Sequence, residues 1–310
     1  MGNDKIKKIL IAGGTGFIGS RLANKLVSLG FKVAVLDNLA AGQKESLSSQ
    51  VKFYLVDITN KTLVEKIFKK EKPDMVINQA AKVYWAETGK DLALDVATSV
   101  LGTINLLRNC LKYNVKKFIF ASSISVYGQP NKIKVKETAS LNFENMPNVL
   151  FSYGFSKYCA ERYIRYFYKQ YGLKYTILRY AHVYGPGQED DVIAKFINRA
   201  VNNKKVIIYG DGEQCRDYLF IDDAVRAAVF AIKKGDNMLL NIGSGRKTSV
   251  NKLIKEIRAA TKLNINFAYA GKKPDRLKAY MDISLARKKL GWQPAISLRA
   301  GIIKTYKAIL

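Results

Sequence analysis

The chain has 310 residues, 48% of them hydrophobic, and carries 52 Lys and Arg against 25 Asp and Glu, a formal net charge of +27. No apolar run approaches the roughly 20 residues that cross a bilayer, and Met1 to Lys8 holds no apolar segment with a cleavage site, so neither a span nor a secretory leader is expected. A charge this high suits a nucleic-acid or membrane-surface partner, but the lysines are scattered in pairs such as Lys7-Lys8, Lys69-Lys70, Lys204-Lys205 and Lys288-Lys289, which reads as a solvated basic surface.

In chain order, β-rich runs at 6–12, 32–36, 52–56, 74–78, 116–122 and 174–179 alternate with helical spacing at 17–29, 60–71, 91–113 and 153–171. Several of the strand runs are continuously apolar, as strands buried on both faces require. The alternation predicts an α/β fold: a Rossmann-type doubly wound parallel sheet over 1–180, with ligands at the C-terminal edge of the strands. After the loop signal Gly185-Pro186-Gly187 the pattern loosens. A helix is expected at 191–202, a strand at 206–209, a turn at Gly210-Asp211-Gly212, a helix at 222–234, a strand at 238–242 and helices at 249–261 and 298–309. Residues 181–310 are therefore read as a smaller mixed α/β lobe. Three widely spaced cysteines, Cys110, Cys159 and Cys215, suit reduced thiols and a cytoplasmic chain. With a single histidine, His182, a zinc site is not expected.

The first strand runs into Gly13-Gly14-Thr15-Gly16-Phe17-Ile18-Gly19. Glycines there permit a tight turn, close backbone approach to a pyrophosphate and helix–strand packing. The following helix would aim unpaired N–H groups and its positive dipole end at phosphates. The second strand ends in Asp37, 18 residues past Gly19, placed to accept hydrogen bonds from an adenosine ribose. A carboxylate there disfavours a 2′-phosphate, so NAD is expected over NADP.

Tyr153 and Lys157 stand at i and i+4, on one face of a helix. A phenol, with an ordinary pKa of about 10, is a poor base at neutral pH. A neighbouring ammonium and an oxidised nicotinamide ring would both favour its phenolate. The strand Phe118-Ile119-Phe120-Ala121 ends in Ser122-Ser123, where a hydroxyl can bond the same substrate oxygen. The set predicts hydride chemistry with a tyrosine as acid and base.

With these segments, and with Leu36-Asp37-Asn38, Val56-Asp57-Ile58, Gly102-Thr103-Ile104-Asn105, Val126-Tyr127-Gly128, Val183-Tyr184-Gly185-Pro186-Gly187, Arg216-Asp217-Tyr218, Asn241-Ile242-Gly243-Ser244-Gly245 and Leu290-Gly291-Trp292, the chain resembles the extended short-chain dehydrogenases/reductases of the nucleotide-sugar epimerase/dehydratase family, most of all its UDP-glucose 4-epimerase group. The resemblance runs almost end to end. It implies Tyr153 as general base and acid, Lys157 as its electrostatic partner and a ribose ligand, and Ser123 as the hydroxyl polariser. It implies NAD contacts from Gly13, Gly16, Phe17, Ile18, Gly19, Asp37, Asn38, Asp57, Ile58, Ala80 and Lys157. For a nucleotide-sugar substrate it implies Arg216 on the diphosphate, Lys272 and Arg276 as further phosphate contacts, Asp275 on the ribose, and contacts from His182 and Val192. It also implies a homodimer through helices 91–113 and 153–171.

Dehydrating and decarboxylating members of the family usually carry an extra acid just before Val-Tyr-Gly, and C3/C5 epimerases tend to carry a cysteine there. Here Ile124-Ser125 supplies neither. The minimal set fits NAD-dependent 4-epimerisation of a UDP-hexose or UDP-N-acetylhexosamine. A dehydratase, decarboxylase or reductase of the same family is the alternative, followed by a non-catalytic member that binds RNA or a protein complex. Three positions depart from the family pattern: Asn78 for a usual His, Ser99 for a usual Asn, and His182 for the usual Asn before Val-Tyr-Gly. His182 reads either as a phosphate or sugar donor or as a neutral structural replacement.

Overall fold

The computed structural model of the chain describes residues 6–81, 92–130, 132–144, 148–271 and 279–310. The first elements follow the predicted alternation: β1 (Lys8–Ala12), α1 (Phe17–Ser28), β2 (Lys32–Asp37), β3 (Lys52–Leu55), α2 (Lys61–Glu71) and β4 (Met75–Asn78). Then come α3 (Leu92–Val96), a π-helical turn at Ala97–Gly102, α4 (Thr103–Lys112), β5 (Lys117–Ser123) and α5 (Asn148–Tyr171). With Lys174–Tyr180 and Met238–Ile242 the strands build one seven-stranded sheet. Its order is β3-β2-β1-β4-β5, then Lys174–Tyr180, then Met238–Ile242 at the edge. β3, β2, β1, β4 and β5 pair in parallel, Leu10 lying opposite Ala34 on one side and Val76 on the other. The order reverses between β1 and β4, and such a switch point opens a ligand crevice.

The chain folds into two compact units. The first comprises Met1–Val126, Asn148–Arg179 and Ala227–Leu240, and the second Tyr127–Pro147, Tyr180–Arg226 and Asn241–Leu310. A single division near residue 180 therefore does not describe the chain: it passes from one unit to the other five times. The run 238–242, read from sequence as part of the second lobe, supplies an edge strand of the central sheet. Pairing across so many residues leaves no local signal.

The core of the first unit lies between the sheet and its helices, with Leu10, Val76, Phe118, Phe120 and Ile177 wholly buried against Val64, Phe68, Leu106 and Leu107. Each such side chain contributes about 1.5–3 kcal/mol. Helix α2 shows how the sequence specifies its ends. Asn60 caps it by accepting from Leu63 N at 3.0 Å, Val64, Ile67 and Phe68 bury one face, and Lys72 turns left-handed at φ 45° to stop it. Helix α1 differs, since its N-cap Gly16 offers no side chain to its first N–H groups. The long helix α5 begins at Asn148, five residues before Tyr153, because no proline interrupts its first turns.

The second unit contains α6 (Val192–Val201), the helices Val250–Thr261 and Leu298–Ile309 that pack on it, and four two-stranded sheets. Asp191, Ser249 and Ser297 cap the three helices. One of the small sheets pairs His182–Tyr184 in parallel with Tyr218–Phe220. Of these strands only 206–209 is legible from sequence, the others being two to four residues long.

Candidate active site

The loop after β1 is shaped by what surrounds its glycines. Gly13 sits at φ 73°, and a Cβ there would meet the Ala80 backbone N at 2.5 Å; one on Gly19 would meet Gly13 O at 2.0 Å. At Gly16 the same atom would find nothing nearer than Gly13 O at 3.6 Å. Packing thus requires glycine at 13 and 19, whereas Gly16 leaves open space over an uncapped helix N-terminus. Such an end attracts phosphate.

Seven of the predicted cofactor residues line one cleft of about 220 Å³: Gly13, Gly16, Asp37, Asn38, Asp57, Ile58 and Ala80. Phe17, Ile18 and Gly19 form the first turn of α1 rather than the lining. Gly42, Gln79, Leu94 and Thr98 are among the other lining residues. No signal in the sequence singles out Leu94 and Thr98, because the π turn that sets the course of that helix is invisible to a 3.6-residue period. Asp37 is held rigidly: its carboxylate accepts from Thr15 N at 3.0 Å and Leu39 N at 2.8 Å. Each carboxylate oxygen retains a second lone pair for a ribose hydroxyl. Burial acts to raise the carboxyl pKa of Asp57, but bonds from the Thr59 hydroxyl and N–H and from Asn38 Nδ2 (2.7 Å) hold it below its ordinary value. Two buried groups, Thr15 Oγ1 and Gln79 Nε2, have no hydrogen-bond partner among the described residues. Buried polar atoms are normally satisfied, so orphans at the β1 and β4 ends fit a polar ligand. The cleft therefore fits a dinucleotide.

Ser122 and Ser123 point to opposite sides of β5, as adjacent strand residues must. Ser123 hydrogen-bonds the Tyr153 phenol and the Ser125 N–H and hydroxyl. Ser122 donates to Glu161 at 2.5 Å. Lys157 is 1% exposed; its Nζ donates to Ala121 O at 2.8 Å and Ala80 O at 3.3 Å. The ammonium lies 4.7 Å from the Phe120 ring centre and 5.9 Å from that of Tyr153. Burial pulls Lys157 down to about 7, against the Glu161 and Asp95 carboxylates that favour its charged form. Burial pushes Tyr153 up to about 12, with Ser123 lowering it and Asp95 raising it further. In the protein alone the phenol thus keeps its proton at neutral pH. Lys157, brought down to about 7, is itself only partly charged there, so the ammonium expected to favour the phenolate is not enough by itself.

The departures from the family pattern find structural places. Asn78 is fully buried, donating to Thr103 Oγ1 at 3.0 Å and accepting from Ala80 N at 3.0 Å, so it fixes the β4 loop. Ser99 is buried on the π turn, where its carbonyl accepts from the Thr103 hydroxyl at 2.7 Å.

In the second unit His182, Asp191 and Arg216 form one cluster, with Val192 opening α6 beside it. His182 Nε2 bonds Asp191 Oδ2, and Nδ1 lies 3.2 Å from Arg216 Nη1. Sequence reasoning named His182 and Arg216 but missed Asp191, which looks like an ordinary helix cap. Lys272, Asp275 and Arg276 lie outside the described residues.

Comparison with known proteins follows the same lines. The profile of the NAD dependent epimerase/dehydratase family matches residues 9–243. The chain is 39% identical to the UDP-glucose 4-epimerase of Thermotoga maritima, solved with UDP-glucose; the two superpose with a TM-score of 0.92 over 97% of this chain and 98% of that one. It is similar, at 29% identity and a TM-score of 0.89 over 98% of each chain, to a UDP-N-acetylglucosamine 4-epimerase of Methanobrevibacter ruminantium in complex with UDP-N-acetylmuramic acid. It is also 32% identical over 313 residues to the UDP-glucose 4-epimerase of Lactobacillus helveticus, covering 93% of this chain and 92% of the relative.

Proposed function

The chain belongs to the NAD-dependent epimerase/dehydratase family, and from that premise we propose that it is a nucleotide-sugar 4-epimerase acting on a UDP-hexose or UDP-N-acetylhexosamine. The observation that carries this reading is the make-up of the site at the end of β5. Tyr153, Ser123 and Lys157 gather beside the dinucleotide cleft, and Ile124-Ser125 puts no carboxylate or thiol where elimination, decarboxylation or C3/C5 chemistry would use one.

Gly13, Gly16, Asp37, Asn38, Asp57 and Ile58 would hold NAD, with Lys157 on its nicotinamide ribose. Bound NAD supplies a reversible hydride acceptor and a positively charged ring. Ser123 polarises the sugar 4-oxygen by hydrogen bonding. Tyr153 takes the 4-OH proton and, after the 4-keto sugar has turned its other face, gives it back. The Lys157 ammonium, held by two backbone carbonyls, favours the phenolate during the interval. Arg216 anchors the diphosphate with a planar guanidinium, so the nucleotide end stays fixed while the sugar turns. Lys272, Asp275 and Arg276 are assigned to the same substrate end.

Incubation of the purified protein with UDP-glucose, UDP-galactose and their N-acetylated counterparts, without added cofactor, should yield the C4 epimer. Tyr153→Phe should lower turnover by about 10³-fold with the fold intact; near-normal turnover removes Tyr153 from the mechanism. The alternative, dehydration, would release water from the same substrates; decarboxylation would release carbon dioxide only from a uronic-acid counterpart such as UDP-glucuronate, which is added to the panel.

We also infer a homodimer. Leu92, Val96 and Leu101 are exposed on one helical stretch, and Phe151, Phe155, Tyr163 and Tyr166 on α5. Phe151 and Phe155 stack at 5.6 Å, an apolar stripe of the kind that interfaces cover. Light scattering at micromolar concentration should give twice the 34.8 kDa chain mass. Among the described residues no helix is long and apolar enough to cross a membrane.

A further inference from the structure

The histidine that replaces the family's usual asparagine has both ring nitrogens engaged within the protein. Its Nδ1 faces Arg216 Nη1 at 3.2 Å and its Nε2 bonds Asp191 Oδ2. A guanidinium can only donate, so Nδ1 must carry the lone pair and the proton sits on Nε2, facing the carboxylate. Asp191 is 3% exposed and spends its other oxygen on Ile193 N, 2.7 Å away, at the start of α6. The imidazole is fixed further by an edge-on contact with the Tyr218 ring at 5.4 Å, and the residue's backbone N–H bonds Asp217 O at 3.0 Å. Neither nitrogen is left over as a donor to substrate.

We propose that His182 is a positioning residue, a tautomer-locked bridge through which the buried Asp191 carboxylate aims Arg216 at the substrate diphosphate. This rests on the reading that Arg216 is the diphosphate anchor. Without the bridge the guanidinium has more orientations to lose on binding. The carboxylate polarises the imidazole and makes Nδ1 a stronger acceptor.

UDP serves as the probe, titrated calorimetrically. His182→Asn keeps an acceptor near the position of Nδ1 but loses the Asp191 link, and should recover part, not all, of the UDP affinity that His182→Gln loses. His182→Gln keeps a donor near Nε2 but loses the Arg216 contact, and should bind about tenfold more weakly, with KM raised and kcat nearly unchanged once a turned-over sugar is in hand. In Asp191→Asn the cap on Ile193 N holds the amide oxygen, so the NH₂ group faces the imidazole. That should move the ring proton to Nδ1 and weaken UDP about tenfold. The chain has one histidine, so ¹⁵N NMR of the folded, unsubstituted protein reads the tautomer without assignment and tests the proposal whether or not a variant folds. The Nε2–H form in the unsubstituted protein, changed to Nδ1–H in Asp191→Asn, is expected. An Nδ1–H or doubly protonated ring at pH 7.5 overturns the proposal. So does UDP affinity unmoved in both His182→Gln and Asp191→Asn while Arg216→Ala abolishes binding, and in that case the anchor itself stands. If Arg216→Ala leaves UDP affinity unchanged, the anchor reading falls and the proposal falls with it.

Discussion

Removing Arg179 should unmask a buried charge beside the reactive lysine. Glu161 lies one turn beyond Lys157 on α5, its side chain 2% exposed and that of Arg179 4%. Arg179 Nε reaches Glu161 Oε1 at 2.9 Å and Nη2 reaches Oε2 at 2.6 Å, a bidentate fork, while Ser122 adds a bond of 2.5 Å. Arg179→Met strands the carboxylate in a dry core, and stranding one partner of such a pair costs about 3–5 kcal/mol. Unfolding entropy of roughly 2.1 cal/mol/K per residue gives ~0.65 kcal/mol/K for 310 residues, so Tm should fall by roughly 5–8 °C. The triple variant Ser122→Ala, Glu161→Leu, Arg179→Met replaces all three of these polar side chains and should recover most of that loss, because apolar replacement of a buried pair is often neutral. Scanning calorimetry of the single and triple variants decides the matter. A triple variant that melts as low as Arg179→Met would show that the cluster contributes net stability and that burial of its charges is not what makes the single change costly.

Lys117, with a side chain 4% exposed, donates to Ala231 O at 2.6 Å, Lys234 O at 2.8 Å and Asp236 Oδ1 at 2.6 Å. Lys117→Met should therefore cost about 3 kcal/mol in urea unfolding, and a loss below about 1 kcal/mol would contradict this accounting. Gly16→Ala should fold normally yet lose NAD, read as the 260/280 nm ratio of the purified protein, whereas Gly13→Ala should give little folded protein because its Cβ strikes Ala80. Lys157 has a folded pKa of about 7 against about 10.5 unfolded. Between these values the unfolded chain binds the extra proton, so unfolding free energy rises with pH, by up to about 1.4 kcal/mol per unit. Tyr153, raised to about 12, reverses the trend only above pH 10. Cofactor-free Lys157→Met should lose that slope between pH 8 and 9.5, and an unchanged slope would place the titration elsewhere.

The periodicity of the sequence carries much of the central sheet and its helices because buried strands and amphipathic faces repeat locally. The glycine loop and Asp37 are legible for the same reason: a turn, a helix start and a strand end lie within 25 residues. What escaped depends on partners that only the folded chain brings together. Asp191 looks like a plain helix cap until His182 folds against it. Glu161, although four residues from Lys157, acquires meaning only when Arg179 and Ser122 arrive from other strands. The run 238–242 reads as a strand, but nothing local says that its neighbour is Lys174–Tyr180. The interruption of 91–113 by a π turn adds a residue to one helical loop, and period alone cannot register that.

The interleaved course of the chain has a consequence during synthesis. The last strand of the central sheet begins at Met238, 58 residues after Tyr180 closes the strand beside it (238 − 180). At about 5–20 residues per second the ribosome needs roughly 3–12 s to deliver it. Until then Lys174–Tyr180 is an open edge with unpaired backbone groups, available to another newborn copy. The yield of this protein should thus depend on how fast codons 181–242 are read and on chaperones that shield nascent chains, more than on the stability of the finished molecule.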